Sequence, residues 1–120
     1  MMEILELSAT PWFESAAPEV FGSEMRYWEF QEYIKLNAGN GRVIPGTGGA
    51  RKIRWEDPSR GKGTRGGLRI IYFWFESHLV IVLVEVYGKD EKDDLTPDER
   101  SRLRRLSGKL RDELARRKHG

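Results

Sequence analysis

The sequence contains no cysteine and only two histidines, His78 and His119. Without cysteine the chain forms no disulfide and offers no thiolate nucleophile, and nothing indicates an oxidising compartment. His78 falls at a predicted hairpin tip and His119 is next to the last residue. Neither histidine stands in a spacing typical of a metal site or of a catalytic triad. We therefore expect neither a bound metal nor a cofactor.

Long hydrophobic runs are also missing. No uninterrupted apolar run is longer than that of Leu79–Val84, which is far short of the roughly 20 residues that span a bilayer as a helix. The opening stretch MMEILELSATPWF has neither the basic start nor the apolar length of a signal peptide. We therefore expect a cytoplasmic protein without membrane contact. A length of 120 residues with 38% hydrophobic residues and no internal repeat predicts a single domain over 1–120.

Charge is distributed unevenly along the chain. The formal net charge is +2, but residues 42–72 hold eight Lys and Arg against two acids, a local balance of +6. The first 41 residues balance at −5 and the last 48 at +1. The central segment is also rich in glycine. Long cations and bare backbone N–H groups can both approach an anion, so this segment is a candidate phosphate-binding surface.

Helix caps and hydrophobic periodicity predict an α+β domain. Thr10-Pro11 and Thr96-Pro97 are typical helix starts, and we expect Pro18 to end or bend the first helix. The strand at 79–87 is apolar at almost every position, which predicts a place at or near the middle of a mainly antiparallel sheet. The predicted elements are a strand at 3–8, helices from 10 and 23, strands at 50–55, 68–75 and 79–87, and a C-terminal helix from 96.

Alternation along the strand at 50–55 separates two kinds of side chain. Ile53 and Trp55 share one face with Arg51, and the two apolar residues predict that this face meets the core. Lys52 and Arg54 fall on the opposite face, which we expect to be open to solvent. An ordinary exposed sheet face is the simplest interpretation of such a pair, so the two cations alone do not establish a binding site.

Further cations strengthen the hypothesis of a polyanion-binding face. Arg69 lies on the next strand, close enough in an antiparallel pair to join Lys52 and Arg54 around one phosphate. Ile71 shares the face of Arg69 by parity, so that face must turn from exposed to buried along the strand. Tyr87 ends its strand, and we expect its ring to be open enough to stack on a base.

At this point the sequence resembles a known family. GTGGARKIRW at 46–55, GGLRIIYFW at 66–74 and LVEVYGKDEKDDLTPDE at 83–99 resemble the HigB branch of the RelE/ParE toxin superfamily. The resemblance implies a RelE-like β-α-α-β-β-β-α fold and the toxin of a type II toxin–antitoxin pair. It implies a partner antitoxin, expected to be a helix-turn-helix DNA-binding protein, and cleavage of mRNA on the ribosome. In that reaction, which needs no metal, the 2′-hydroxyl attacks the adjacent phosphate.

The resemblance also implies roles for individual residues. The basic pair of the family's first core strand falls on Lys52 and Arg54, and the arginine of the following strand falls on Arg69. The basic loop after the last strand matches Lys89, but the next position is Asp90 where RelE is basic, which leaves Lys89 and Tyr87 open as proton donors. The expected catalytic residues are Lys52, Arg54, Arg69 and Lys89, and the expected nucleic-acid contacts are Arg51, Arg60, Lys62, Arg65 and Tyr87.

Two other functions stay open at this stage. One is a ParE-like, non-catalytic inhibitor of a topoisomerase, and the other is a non-catalytic nucleic-acid-binding accessory protein of a phage. The group Lys52, Arg54 and Arg69 favours the nuclease, because a protein that only binds has no need of a proton acceptor beside two phosphate ligands.

Overall fold

The computed structural model describes residues 5–56, 67–88 and 94–117. Within these ranges the chain forms three α-helices and a five-stranded, mainly antiparallel sheet, so the predicted α+β class is confirmed. The elements are β1 Glu6–Ala9, α1 Pro11–Phe21, α2 Glu24–Leu36, β2 Arg42–Val43, β3 Arg51–Trp55, β4 Leu68–Phe75, β5 Val80–Gly88 and α3 Pro97–Arg117, with short 3₁₀ turns at Ala38–Asn40 and Glu76–His78.

The strands are arranged in the order β1-β5-β4-β3-β2. β1 pairs with β5 in parallel, and the other three pairs are antiparallel. β5 therefore lies inside the sheet next to the middle strand, as its continuous hydrophobicity predicts. The two-residue strand β2 is not predicted from the sequence, because two residues are too few for the alternation of a strand to be visible.

Both faces of the sheet are covered by helices. On one face the aromatic side chains of α1 and α2 pack against Ile70 and Tyr72 of β4 and Leu83 of β5. On the other face Leu103 and Leu114 of α3 pack with the alternate residues of β4 and β5, among them Ile71 and Val82. This two-sided cover explains why β4 is buried at nearly every position. The C-terminal helix thus packs on its own domain.

Thr10 joins the start of α1 to the sheet. Its hydroxyl accepts a hydrogen bond from the Phe13 N–H at 3.3 Å and donates one to the Val84 carbonyl at 2.8 Å. The pairing of β4 with β5 shifts register next to this point, between Ile71 and Tyr72. A register shift disturbs the ladder of backbone hydrogen bonds locally. The Thr10 hydroxyl gives the Val84 carbonyl a partner there.

Pro18 was expected to end or bend α1. It does not end the helix, which continues to Phe21 and stops at Gly22. A proline inside a helix leaves the carbonyl four residues earlier without its usual partner. That residue is Glu14, which is exposed together with Pro18, so water can solvate the carbonyl. Gly22 then ends the helix with a left-handed φ of 97°.

The loop between β2 and β3 is attached to α3. The Ser107 hydroxyl donates to the Gly48 carbonyl at 2.7 Å, and Arg111 donates to the Ser107 hydroxyl at 3.2 Å. Gly48 has a φ of +72°, and a Cβ added there would lie 2.8 Å from Ser107 Cβ. Glycine is therefore required at this contact by both backbone and space. In the described ranges, no helix is both long and apolar enough to cross a membrane.

Candidate nucleic-acid interface

Strand register places the predicted cations next to one another. Arg54 of β3 lies directly opposite Arg69 of β4, and Arg69 lies opposite Tyr87 of β5. Lys52, two residues before Arg54, lies opposite Arg42 of β2. Directly opposed residues of an antiparallel pair have Cβ atoms roughly 5 Å apart. The sheet thus brings Lys52, Arg54 and Arg69 next to one another.

The exposure of these cations differs from the expectation. Arg54 is exposed and Lys52 is half-buried, but Arg69 retains only 5% of its side-chain accessibility. The Arg69 guanidinium donates to the Gly67 carbonyl at 2.9 Å. This face of β4 is therefore already buried at Arg69, whereas Arg69 was expected to lie in its exposed part. In this conformation Arg54 and Lys52 are the members of the group that an incoming anion meets first.

The expectation that Tyr87 is open at the end of its strand is wrong. Its side chain is only 2% exposed and belongs to the apolar cluster under α3. The physical reason is the register, which places Tyr87 opposite Arg69 on the helix-covered face. A buried ring has no free surface on which a base could stack. Tyr72 of β4 is fully buried as well.

Arg51 has a structural contact that sequence reasoning did not predict. Its Nη1 atom donates to the carbonyls of Gly39 at 3.2 Å and Gly41 at 2.8 Å. These carbonyls belong to the turn between α2 and β2, so Arg51 fixes that turn. Four other predicted site residues lie outside the described ranges: Arg60, Lys62, Arg65 and Lys89.

The same turn is held from below by Tyr72. The Tyr72 hydroxyl donates to the Ala38 carbonyl at 2.6 Å and accepts from the Gly41 N–H at 2.9 Å. Burial raises the pKa of Tyr72, and the Gly41 N–H and the nearby Arg51 charge offset part of this rise. The hydroxyl thus stays protonated at neutral pH and keeps both bonds.

A groove opens beside the exposed cations, at the edge of β3. It has a volume of about 530 Å³ and is lined by Tyr33, Asn40, Arg42, Lys52, Ile53 and Arg54. In the described part of the chain, β2 pairs with β3 only through Arg51 and Lys52. The edge of β3 beyond Lys52 is therefore open to the groove.

The sequence did not indicate that Tyr33, Asn40 and Arg42 would line one groove. Arg42 was counted only as part of the basic segment, and Tyr33 and Asn40 showed no signal of their own. The one available sign was the cation of Arg42 just after Gly39 and Gly41. Its position opposite Lys52 depends on strand β2, which the sequence does not predict.

The described residues contain no group of three His, Asp or Glu side chains arranged to hold a metal ion. What the site offers is positive charge on a sheet face, an adjoining groove and a rigid turn at its border. Such an arrangement can bind the phosphates of a single strand and stabilise negative charge that develops on one of them. A scan of the sequence against models of known protein families finds no match.

Proposed function

We propose that this protein is the toxin of a type II toxin–antitoxin pair and acts as a ribosome-dependent mRNA endonuclease of the RelE/HigB kind. The sequence resemblance suggests this activity. The observation that supports it best is the direct cross-strand pairing of Arg54 with Arg69, beside Lys52.

Two like charges meet at this pairing. Like charges directly opposite each other on a sheet are destabilising, because their side chains share one small region. A solvent-exposed position such as Arg54 has no packing reason to be a cation. Departures from local rules of this kind concentrate at functional sites. Cations gathered at one place on a sheet face would attract a ligand of opposite charge, such as a phosphate group.

The proposed reaction is a transesterification within the mRNA. The 2′-oxygen forms a bond to the adjacent phosphorus, the bond from phosphorus to the 5′-oxygen breaks, and a 2′,3′-cyclic phosphate and a free 5′-hydroxyl result. Lys52 accepts the proton of the 2′-hydroxyl, a step that requires its side chain in the neutral amine form. Arg54 and Arg69 stabilise the charge of the pentavalent phosphorus, for which the planar guanidinium is suited. Lys89 donates the proton to the leaving oxygen.

The burial of Arg69 defines one requirement of this mechanism. Contact with the phosphate requires its guanidinium to leave the Gly67 carbonyl or to share its donors between the two acceptors. A guanidinium has five N–H donors and can contact more than one acceptor. The ribosome would orient the mRNA and so lower the demand on the intrinsic basicity of Lys52.

The test is a cleavage assay on programmed ribosomes, with the ends of the mRNA mapped. We expect cleavage that persists in chelator, provided that ribosome integrity is checked. Arg54→Ala and Arg69→Ala should each lower the rate by about 10²–10³-fold, the usual loss for one transition-state stabiliser. Lys109→Ala removes an exposed charge from α3 and serves as the control, with an unchanged rate.

Two results would contradict the proposal. Loss of cleavage in chelator with intact ribosomes would contradict the metal-independent mechanism. Full activity of the triple variant Lys52→Ala, Arg54→Ala, Arg69→Ala would remove these residues from the site. If wild-type protein leaves mRNA intact and instead inhibits a topoisomerase, the binding function considered above replaces the nuclease.

The proposed partner is an antitoxin that covers the basic face with an acidic or helical segment. Charge complementarity attracts such a chain to the exposed cations and blocks the site. Expression of the protein alone should arrest bacterial growth, and co-expression of the neighbouring gene should restore it. Normal growth at high levels of soluble protein would contradict toxicity.

A further inference from the structure

Helix α2 carries apolar side chains on two opposite sides. The side that packs against the sheet contains three buried residues, Tyr27, Phe30 and Ile34. The outer side presents Met25, Trp28 and Leu36, which the helical repeat brings into one row. Their exposed fractions are 63%, 55% and 86%. This row, named the α2 stripe below, holds three of the five large hydrophobic side chains that are exposed within the described ranges.

An apolar row on the outer side is unusual for a helix at the surface of an isolated domain. Such a helix normally places charged and polar residues opposite its buried side. Single exposed apolar residues need no explanation, whereas a contiguous apolar patch marks a surface that binds another molecule. Trp28 strengthens this interpretation, because tryptophan is enriched among the residues that dominate protein–protein binding. The α2 stripe is therefore a candidate docking surface.

The charges at the two ends of α2 indicate what fits on the stripe. Glu24 lies in the first turn and Lys35 in the last turn, and both are exposed. They are about three helical turns apart and so lie along the same flank of the stripe. A second α2 helix laid antiparallel on the first brings Glu24 of each copy beside Lys35 of the other. A parallel arrangement would instead bring like charges together at both ends.

We infer that two copies of this chain form a homodimer through their α2 stripes, with the helices antiparallel around a two-fold axis. A two-fold interface uses the same patch on both copies, so the patch must complement itself. Glu24 and Lys35 meet this requirement, and their pairing places the axis near the middle of the helix. The Trp28 rings of the two copies then meet beside the axis, and Leu36 of each copy packs on Met25 of the other.

The inferred dimer leaves the cations of β3 accessible. Ile53 and Trp55 pack with the α1–α2 core, so alternation places Lys52 and Arg54 on the other face of the sheet. The outer side of α2 is directed away from that face, and a second copy docked there does not cover the two cations. The inference thus goes beyond the proposed function and does not depend on it.

A membrane surface and a helix of a different protein are the other occupants that an apolar helix face accepts. Glu24 and Glu29 flank the stripe, and the anionic lipids that attract basic amphipathic helices repel carboxylates. A different protein would have to carry a matching pair of charges, which a second copy supplies by symmetry. We therefore assign the stripe to a second copy and treat a helix of another protein as an outcome of the test.

The test is sedimentation velocity of the purified protein at a series of concentrations. One helix pair makes an interface at the small end of the usual range, so we expect a dissociation constant of about 10–100 μM. Wild-type protein should pass from monomer to dimer and no further, because a two-fold interface closes on itself. Trp28→Ala should raise the dissociation constant at least about tenfold, since it removes two buried rings from each dimer. Circular dichroism shows that each variant is folded.

Trp12→Ala is the matched control. Trp12 is also an exposed tryptophan, at 57%, but it borders Leu103 and Leu106 of α3 and lies apart from the α2 stripe. This variant should dimerise as wild type. A loss of dimer as large as that in Trp28→Ala would place the interface elsewhere and overturn the inference.

Charge reversal tests the antiparallel arrangement. Glu24→Lys and Lys35→Glu should each weaken the dimer about threefold to tenfold, because each variant places like charges together at both ends of the interface. An equimolar mixture of the two variants should form a heterodimer of nearly wild-type strength, since all the end charges are then opposite. Glu29 of the two copies lie close together beside the axis, so Glu29→Gln should strengthen the dimer. Lys109→Glu reverses an exposed charge on α3 and should have no effect.

Several results would overturn the inference. Wild-type protein that stays monomeric well above the expected concentration range has no such interface, and a helix of another protein bound on the stripe would then be its occupant. Dimerisation of Trp28→Ala at wild-type strength would remove the stripe from the interface. Charge variants that dimerise as wild type would exclude the antiparallel pairing. Failure to cleave mRNA on ribosomes, with the dimer intact, would contradict the proposed function alone.

Discussion

Removal of one oxygen atom from Tyr72 should destabilise the fold more than its size suggests. In Tyr72→Phe the Ala38 carbonyl and the Gly41 N–H lose their common partner, at 2.6 Å and 2.9 Å. Tyr72 and Gly41 are both buried, so water does not replace the hydroxyl. Each unsatisfied buried group costs about 1–3 kcal/mol. We expect the free energy of unfolding to fall by about 2–5 kcal/mol.

The measurement is urea unfolding, with Tyr27→Phe as the matched control. The Tyr27 hydroxyl donates to Glu14 Oε1 at 3.1 Å, and Glu14 is exposed, so water solvates that carboxylate once the hydroxyl is gone. The control should therefore lose no more than about 1 kcal/mol. With an m-value of about 2 kcal/mol/M, Tyr72→Phe should lower the urea midpoint by roughly 1–2.5 M. Equal losses in the two variants would refute the role given to the Tyr72 hydroxyl.

Three further predictions concern stability. Burial first, and then a neighbouring carboxylate, raise the pKa of Tyr27 above its ordinary value of 10.0. The protonated hydroxyl therefore stabilises the fold in full below about pH 10, and this stabilisation should be lost as the pH rises above that value. Urea unfolding at increasing pH should show the loss, and Tyr27→Phe should reduce it. Gly48→Ala combines a left-handed backbone with a Cβ against Ser107 and should cost about 1–3 kcal/mol, whereas Gly39→Ala, which meets open space, should be near neutral in the same assay. Thr10→Ala removes a helix cap and the partner of a β5 carbonyl and should cost about 1–3 kcal/mol by thermal or urea unfolding; a loss below about 0.5 kcal/mol would contradict the buried bond.

Local chemistry made most of the fold predictable. The helix start predicted at Thr96 is confirmed, and the Glu99 carboxylate accepts from the Thr96 N–H at 2.8 Å. Alternation in β3 correctly separated Ile53 and Trp55, which pack against the α1–α2 core, from Lys52 and Arg54. These features depend on neighbours in sequence, so their signals are present in the chain itself.

The site was less predictable because it depends on how distant segments meet. The burial of Tyr87 and Arg69 results from the register of β4 and β5 and from the cover of α3. Arg51 looked like a phosphate ligand, but its guanidinium reaches two carbonyls of a turn that is ten or more residues away in sequence. No periodicity or composition distinguishes a cation that binds a backbone carbonyl from one that binds a ligand.

The central claim is that the exposed cation Arg54 is kept for an anionic ligand. Its most direct test is Arg54→Thr, with unfolding and ribosome-dependent cleavage measured on the same preparation. Threonine favours a strand, so the free energy of unfolding should stay at the wild-type value or rise by up to about 1 kcal/mol. Cleavage should fall by about 10²–10³-fold. A variant that is less stable than wild type, or one that still cleaves mRNA at the wild-type rate, would contradict the claim.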